Sequence, residues 1–290
     1  MNTILVTGAT GNVGRAVLKY LLPKAQAGQV IAAVRNLAAD KPKLPVTEEL
    51  ECRVMDLERP ETFAPALEGV TTLFLLRPPY ISDIKTYFTP LLRRAKSAGV
   101  QYVVLLSVQG AERSTVIPHR KLELLIQEFG FSYIFVRPSY FMQNLTTTLR
   151  PQLERGLLRL PSGGAKFTWV DVDNIGEATA ELLLQPLTYA NQALEITGSE
   201  QLSFEEVAKQ ISQVSGRPLR YQAVSPWRFY REQRQAGTGS GQTLVMLLLH
   251  WLPRFQQTAP LSPEYHNLTG KPPTTLREFI VREMGVDDGR

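Results

Sequence analysis

The stretch TILVTGATGNVGRAVLKYLL, Thr3 to Leu22, runs from a short apolar segment through three glycines into an amphipathic helical pattern. Gly8, Gly11 and Gly14 stand between the strand and the helix. In such a junction the first glycine allows a tight turn, the second lets backbone approach a pyrophosphate, and the third permits close packing of helix on strand. The unpaired N–H groups of the helix start then face the phosphates. A glycine triplet alone is a weak signal, but one set directly after the first strand and before an amphipathic helix marks a dinucleotide site. Gly8, Thr10, Gly11, Asn12, Val13 and Gly14 are its candidate contacts.

Outward from that junction, short apolar runs alternate with helical segments. The strand candidates are 3–7, 30–34, 52–55, 72–76, 102–107, 133–136 and 193–197, nearly continuously apolar as strands covered on both faces must be. Helices are expected from Val13 to Leu22, Ser82 to Ala98, His119 to Phe129 and Ile175 to Leu184. This rhythm specifies an α/β fold, a doubly wound parallel sheet. Beyond about residue 199 the alternation fades. SFEEVAKQISQVSG opens with a capping box, Ser203 with Glu206; a strand LRYQAV, an aromatic-rich helix from Pro226, a flexible loop over 238–242 and a final helix after PPTT follow. The expected division is a cofactor-binding domain over 1–198, with part of 141–168 lent to the substrate lobe, and a smaller C-terminal α+β lobe over 199–290.

Composition narrows the class. With 290 residues, 43% of them hydrophobic, the chain can bury a full core, and neither disorder nor fibre is indicated. The 32 basic and 27 acidic residues form no run of five like charges, so nucleic acid is not an expected partner. The single cysteine, Cys52, excludes an internal disulfide framework and suits a reducing compartment. No leader pattern precedes the first strand, and the apolar run LVMLLLHWL spans about half a bilayer; a cytoplasmic monomer or homodimer without membrane contact is expected, with that run as a buried or pocket-lining helix. No metal site is expected.

The second strand ends VIAAVRN, which puts Arg35 where an NAD-specific site carries an acid for the ribose 2′-hydroxyl. A guanidinium there can pair with a 2′-phosphate, which favours NADP(H) over NAD(H); the alternative is a solvated surface arginine. Asp56, after the third strand, could accept from the adenine amino group or serve as a turn residue. Leu76, Arg77 and Tyr80, at and after the end of the fourth strand, should border the cofactor and the substrate entrance.

With GxxGxxG spacing, the tip arginine and "RP" after the sixth strand, the sequence resembles the short-chain dehydrogenase/reductase superfamily in its atypical form. More narrowly, VTGATGNVG, AAVRN, AKSAGVQYVVLLSVQGA, FGFSYIFVRPSYFMQNL and WVDVDNIGEATAELL are similar to the NmrA-like family, over roughly residues 1–200 and more loosely to the end. The resemblance implies a Rossmann domain binding NAD(P), with a small C-terminal lobe completing the active site. Its members include reductases of quinones, dyes and imines, and NADPH-sensing regulators without enzymatic activity.

The superfamily's chemistry rests on a serine at the end of the fifth strand and a Tyr-x-x-x-Lys pair on the next helix. Counting back from VRP, the lysine's place is held by His119 and the tyrosine's by Thr115, which is no acid at neutral pH. Lys121 lies two residues on, about 200° around the helix, and should face away from His119. Glu123 can share the histidine's face and could orient its ring or raise its pKa. Ser107 stands at the serine's place, either as a donor to substrate or nicotinamide or as a strand-end cap. The resemblance therefore nominates His119, Ser107 and, in reserve, Tyr140 as catalytic. Pro138, Tyr140, Phe141, Ser107 and His119 are expected against the nicotinamide end of the cofactor. Tyr80, Phe141, Asn144, Trp169 and Trp227 are expected against a small aromatic or conjugated substrate. Two functions follow: an NADPH-dependent oxidoreductase acting on a flat conjugated acceptor, or a non-catalytic NADP(H) sensor acting through a protein partner.

Overall fold

The computed structural model describes residues 2–44 and 50–284. They form two compact units. The first draws on Met1–Pro138, Val172–Ile196 and Pro263–Lys271, the second on Ser139–Asp171, Thr197–Ser262 and Pro272–Arg290. The chain thus alternates between the units, where the sequence suggested a boundary near residue 198 with part of 141–168 lent to the second lobe.

The first passage lays down β1 (Ile4–Val6), α1 (Asn12–Leu21), β2 (Val30–Val34), the single turn α2 (Leu37–Asp40), β3 (Glu51–Val54) and a second single turn, α3 (Phe63–Ala66). It continues through β4 (Thr72–Leu76), α4 (Ile84–Ser97), β5 (Tyr102–Leu106), α5 (Pro118–Glu128) and β6 (Ser132–Pro138). The second unit then receives β7 (Tyr140–Phe141), α6 (Arg150–Glu154), β8 (Leu157–Leu160) and β9 (Lys166–Val170). Next, α7 (Val172–Leu184) and β10 (Gln192–Ile196) return to the first unit. The second unit takes β11 (Gln201–Ser203), α8 (Phe204–Ser215), β12 (Arg220–Ala223), α9 (Pro226–Gln235) and α10 (Ser240–Trp251). Finally α11 (Glu264–Thr269) belongs to the first unit and α12 (Leu276–Met284) to the second.

In the first unit seven parallel strands are ordered β10-β6-β5-β4-β1-β2-β3. β1 pairs with both β2 and β4, Ile4 lying opposite Val30 and Thr72. Strand order therefore reverses direction beside β1, and the carboxyl ends at such a switch point are where open α/β sheets bind ligands. Ile4, Leu5 and Val6 are wholly buried, because helices cover both faces of the sheet. One face packs Leu73, Leu75, Val103 and Leu105 against Phe88 and Leu92 of α4 and Leu122 and Ile126 of α5. α1 and α7 pack so closely that a Cβ on Gly176 would come within 2.5 Å of the Ala16 carbonyl carbon.

The second unit holds a three-stranded sheet, β11-β9-β7, and the parallel pair β12 and β8. Its core gathers Trp169, Phe204, Phe229, Leu276 and Phe279. The capping box forms as its spacing predicts: Ser203 accepts from the Glu206 backbone N–H, and the Glu206 carboxylate accepts from the Ser203 N–H. Where a flexible loop was expected, Ser240, Gly241 and Gln242 are already helical, with Gly239 as the N-cap of α10.

Candidate active site

Two glycines fix the turn after β1. Gly8 has φ +62°, which glycine adopts without steric cost, and a side chain there would also press on Leu76. A Cβ on Gly14 would stand 2.1 Å from the Gly8 carbonyl oxygen, so only glycine lets α1 start this close to the strand. The N-cap, Gly11, provides no side-chain hydrogen bond, and the first turn of α1 carries no acidic residue. The Gly11 N–H donates to the Gly8 carbonyl at 2.9 Å and closes the turn, so the uncapped N–H at the positive end of the helix dipole is that of exposed Asn12. A pyrophosphate fits that cradle, and Thr7 secures its edge by donating to the Phe74 carbonyl while accepting from the Leu76 N–H.

Arg35 is exposed at the carboxyl tip of β2. Arg59, which the sequence reading did not single out, bonds the Arg35 carbonyl through Nη2 at 3.4 Å. The signal was hidden because 24 residues separate the two arginines and a turn brings them together. Asp56 spends its carboxylate locally, accepting from the Glu58 N–H and from Arg59 Nε at 3.0 and 3.1 Å. This is its turn role; it also ties Arg59 into place.

At the carboxyl end of β5, Ser107 is buried and donates its hydroxyl proton to Glu123 Oε1 at 2.6 Å. Glu123 is fully buried on α5 and also accepts two bonds from Arg137 of β6, at 2.9 and 2.8 Å, and one from Arg120, at 2.9 Å. Arg137 in turn reaches Glu112 at 2.7 Å. Burial alone would raise the Glu123 pKa, but the bonds from Arg137, Ser107 and Arg120 outweigh it and hold the carboxyl below its usual range. Glu123 is thus committed to this cluster rather than to orienting His119.

His119 is half-buried in the first turn of α5, and its neighbour is Arg77, whose Nη2 lies 3.4 Å from His119 Nε2. A guanidinium can only donate, so Nε2 accepts and the ring proton sits on Nδ1. Burial first, then the charge of Arg77, push the His119 pKa down to about 3, with Glu123 opposing. The imidazole is neutral at physiological pH. Arg77 is held by the carbonyls of Pro78, Pro79 and Ile81, and burial lowers its pKa too. Lys121 and Thr115 are exposed, and Tyr80 is exposed on the loop after β4. Pro138 closes β6.

The second unit places the remaining candidates differently. Tyr140 is buried, its hydroxyl 2.9 Å from His250 Nε2 and its ring packed edge-on against Phe167, Trp169 and Phe204. Burial raises its pKa, so it is no acid for a passing ligand, contrary to its expected reserve role. Trp169 is 0% exposed and donates Nε1–H to the Leu202 carbonyl, which leaves no ring face for a substrate. Both corrections have one cause: β7 and β9 pair side by side, so their aromatics build a core. Phe141, partly buried, continues β7 opposite Val170. Asn144 ends the following turn, and Trp227 is 72% exposed on α9.

A model of the NmrA-like family matches residues 1–242. The NAD(P)H azoreductase of Xenophilus azovorans is 32% identical over 288 residues, covering 95% of this chain and 96% of its own. Among solved structures, the triphenylmethane reductase of a Citrobacter species superposes with a TM-score of 0.84 at 25% identity, over 98% of this chain and 100% of its own. The NADPH-bound quinone oxidoreductase QOR2 of Escherichia coli gives a TM-score of 0.86 at 22% identity, over 97% and 100%.

Proposed function

The chain belongs to the NmrA-like family, and from that premise we propose that it is an NADPH-dependent reductase of flat, conjugated acceptors such as quinones, azo compounds or iminium ions. The observation that carries this reading is the state of Ser107 and His119. Ser107 spends its hydroxyl proton on the hydrogen bond to Glu123, so toward a ligand its oxygen can only accept. His119 is a neutral imidazole, a hydrogen-bonding group rather than a proton source.

The glycine turn, with Gly8, Thr10, Gly11, Asn12, Val13 and Gly14, would hold the pyrophosphate; Arg35 and Arg59 would take the 2′-phosphate; Leu76, Arg77, Ser107, His119 and Pro138 would bound the nicotinamide end. A bound reduced nicotinamide supplies hydride. The chain contributes placement and exclusion of water, with no strong acid within the Ser107 and His119 groups. Reduction of a simple ketone makes a basic alkoxide, and the missing acid would cost on the order of 10²–10⁴-fold. Quinones and azo compounds spread the incoming charge, and an iminium ion begins with a positive one, so such acceptors tolerate the loss. The azoreductase, dye reductase and quinone oxidoreductase relatives are named for substrates of this kind.

The test is to follow NADPH consumption with a panel of quinones, azo dyes, cyclic imines and simple ketones. Turnover of the conjugated members and none of the ketones is expected. Binding of NADPH without turnover of any member would replace this reading with that of a redox sensor.

A further inference from the structure

We propose that the second unit carries a docking surface for an anionic phospholipid bilayer, formed by α10, the 3₁₀ turn that follows it and the arginines around them. The first observation is the distribution of charge. Between residues 210 and 263 there are six arginines, one glutamate and no lysine or aspartate. That segment therefore holds the whole formal charge of +5, the other 26 basic residues being balanced by 26 acidic ones. Of the six, Arg217, Arg220, Arg231, Arg234 and Arg254 have no carboxylate within ion-pair distance among the described residues; Arg228 pairs with Glu232.

The second observation is an apolar face turned outward. α10 buries Thr243, Met246 and His250, and its other side exposes Leu244, Val245, Leu248 and Leu249, continued by Leu252 and Phe255. These six are between 39% and 70% exposed, in a stripe of helical spacing. α9 lies alongside: its buried Phe229 meets His250 of α10, with ring centroids 6.2 Å apart. The inner faces of the two helices meet at His250, and α9 exposes Arg228, Arg231 and Arg234.

A third observation lies at the end of the stripe. Lys166, Arg254, Gln256 and Thr258, with Gly164, line an open depression of about 540 Å³. Arg254 is laid over the turn at Gly163, where an added Cβ would stand 2.9 Å from its Nε. Lys166 pairs with Glu206 at 3.5 Å, so Arg254 is the cation left to a phosphodiester here, beside two side-chain donors, and Phe255 and Leu252, next to it, suit the acyl boundary. A second copy of the chain fits poorly as the occupant, because a two-fold contact would face this unbalanced positive charge with itself. No described helix is long and apolar enough to cross a membrane, so the attachment is to the surface.

The test is co-sedimentation of the full chain with vesicles of phosphatidylcholine alone and of equimolar phosphatidylcholine and phosphatidylglycerol. Sedimentation with the anionic vesicles only, reversed by high salt, is expected. Arg254→Glu and Leu248→Gln, both at exposed positions, should each lower the partition about tenfold with thermal unfolding unchanged, and Arg231→Glu provides an independent charge reversal. Four results would overturn the proposal: no sedimentation, equal sedimentation with both vesicles, binding of inorganic phosphate without vesicle binding, or a dimer in solution that Leu248→Gln dissociates. Loss of NADPH turnover in Leu248→Gln would reassign the stripe to the substrate site and also overturn it.

Discussion

Ser107 donates its hydroxyl proton to the buried carboxylate of Glu123 at 2.6 Å, on the line that joins the end of β5 to α5. The bond fixes the direction of the serine and makes its oxygen an acceptor. It adds to the bonds from Arg137 and Arg120, and the arginines foremost keep the fully buried carboxylate charged.

Removing that charge is expected to be costly. Glu123→Gln leaves Arg137 and Arg120 facing a neutral amide, and a loss of about 3–5 kcal/mol in urea unfolding should follow. Ser107→Ala should cost far less, about 1 kcal/mol, since the arginines remain to hold the carboxylate. Equal losses for the two variants would show that the cluster does not depend on Glu123.

Cofactor choice should hinge on the two arginines at the tip of β2. Arg35→Ala is expected to raise the KM for NADPH by roughly 10- to 100-fold, the worth of a charge-assisted bond, while leaving the KM for NADH nearly unchanged. Arg59→Ala should do the same to a smaller degree. If both cofactors lose affinity alike, the arginines are not reading the 2′-phosphate.

Turnover should vary little with pH. His119 titrates at about 3, so no group at its position changes charge between pH 5 and 8, and kcat/KM for an azo or quinone acceptor is expected to be flat across that window. His119→Ala should preserve the flat profile and lower kcat/KM about tenfold through lost contact with the cofactor. A bell-shaped profile in the wild-type protein, or unaltered turnover in the variant, would remove His119 from the role assigned here.

Stability, in contrast, should fall in mild acid. His250 is buried beside Tyr140, with its pKa lowered to about 4 chiefly by burial. Its folded pKa lies below the unfolded value near 6.5, so the unfolded chain binds the extra proton first. The contribution is complete above about pH 6.5 and lost as pH falls toward 4, on the order of 3 kcal/mol. Denaturant unfolding at pH 7 and at pH 4.5 measures it, and His250→Gln should flatten part of the slope.

Gly14→Ala tests the cradle. The added methyl meets the Gly8 carbonyl, so α1 must shift away from β1, and NADPH binding should fall by at least tenfold with only partial loss of stability. Unchanged affinity would move the pyrophosphate elsewhere.

The parallel sheet was legible because strands buried on both faces must be continuously apolar, and β2 and β4 begin and end where that rule placed them. The glycine turn and the Ser203 capping box were legible for the same reason: each is a short, local device whose spacing carries its mechanism. The Arg77 to His119 pair was not, because 42 residues separate its members and only the fold sets the loop after β4 beside the first turn of α5. Glu123 shared a helix face with His119 as expected, yet Arg137, on another strand, offered it the stronger bond. Tyr140 and Trp169 were misjudged because an aromatic beside the end of a sheet strand reads alike whether it lines a cleft or fills a core. What decided the matter was the pairing of β7 with β9, across 29 residues.

The return of α11 to the first unit sets a limit on how the chain can be divided. Tyr265 donates its hydroxyl to Glu177 of α7 at 2.7 Å, and Lys271 pairs with the same carboxylate at 2.6 Å. A fragment that stops after β10 would keep every strand of the parallel sheet and still expose a carboxylate on α7 stripped of both partners. The nucleotide-binding unit is therefore not an autonomous N-terminal module. It closes only once residues 263–271 have been made, so truncation before them should damage the unit that holds the cofactor.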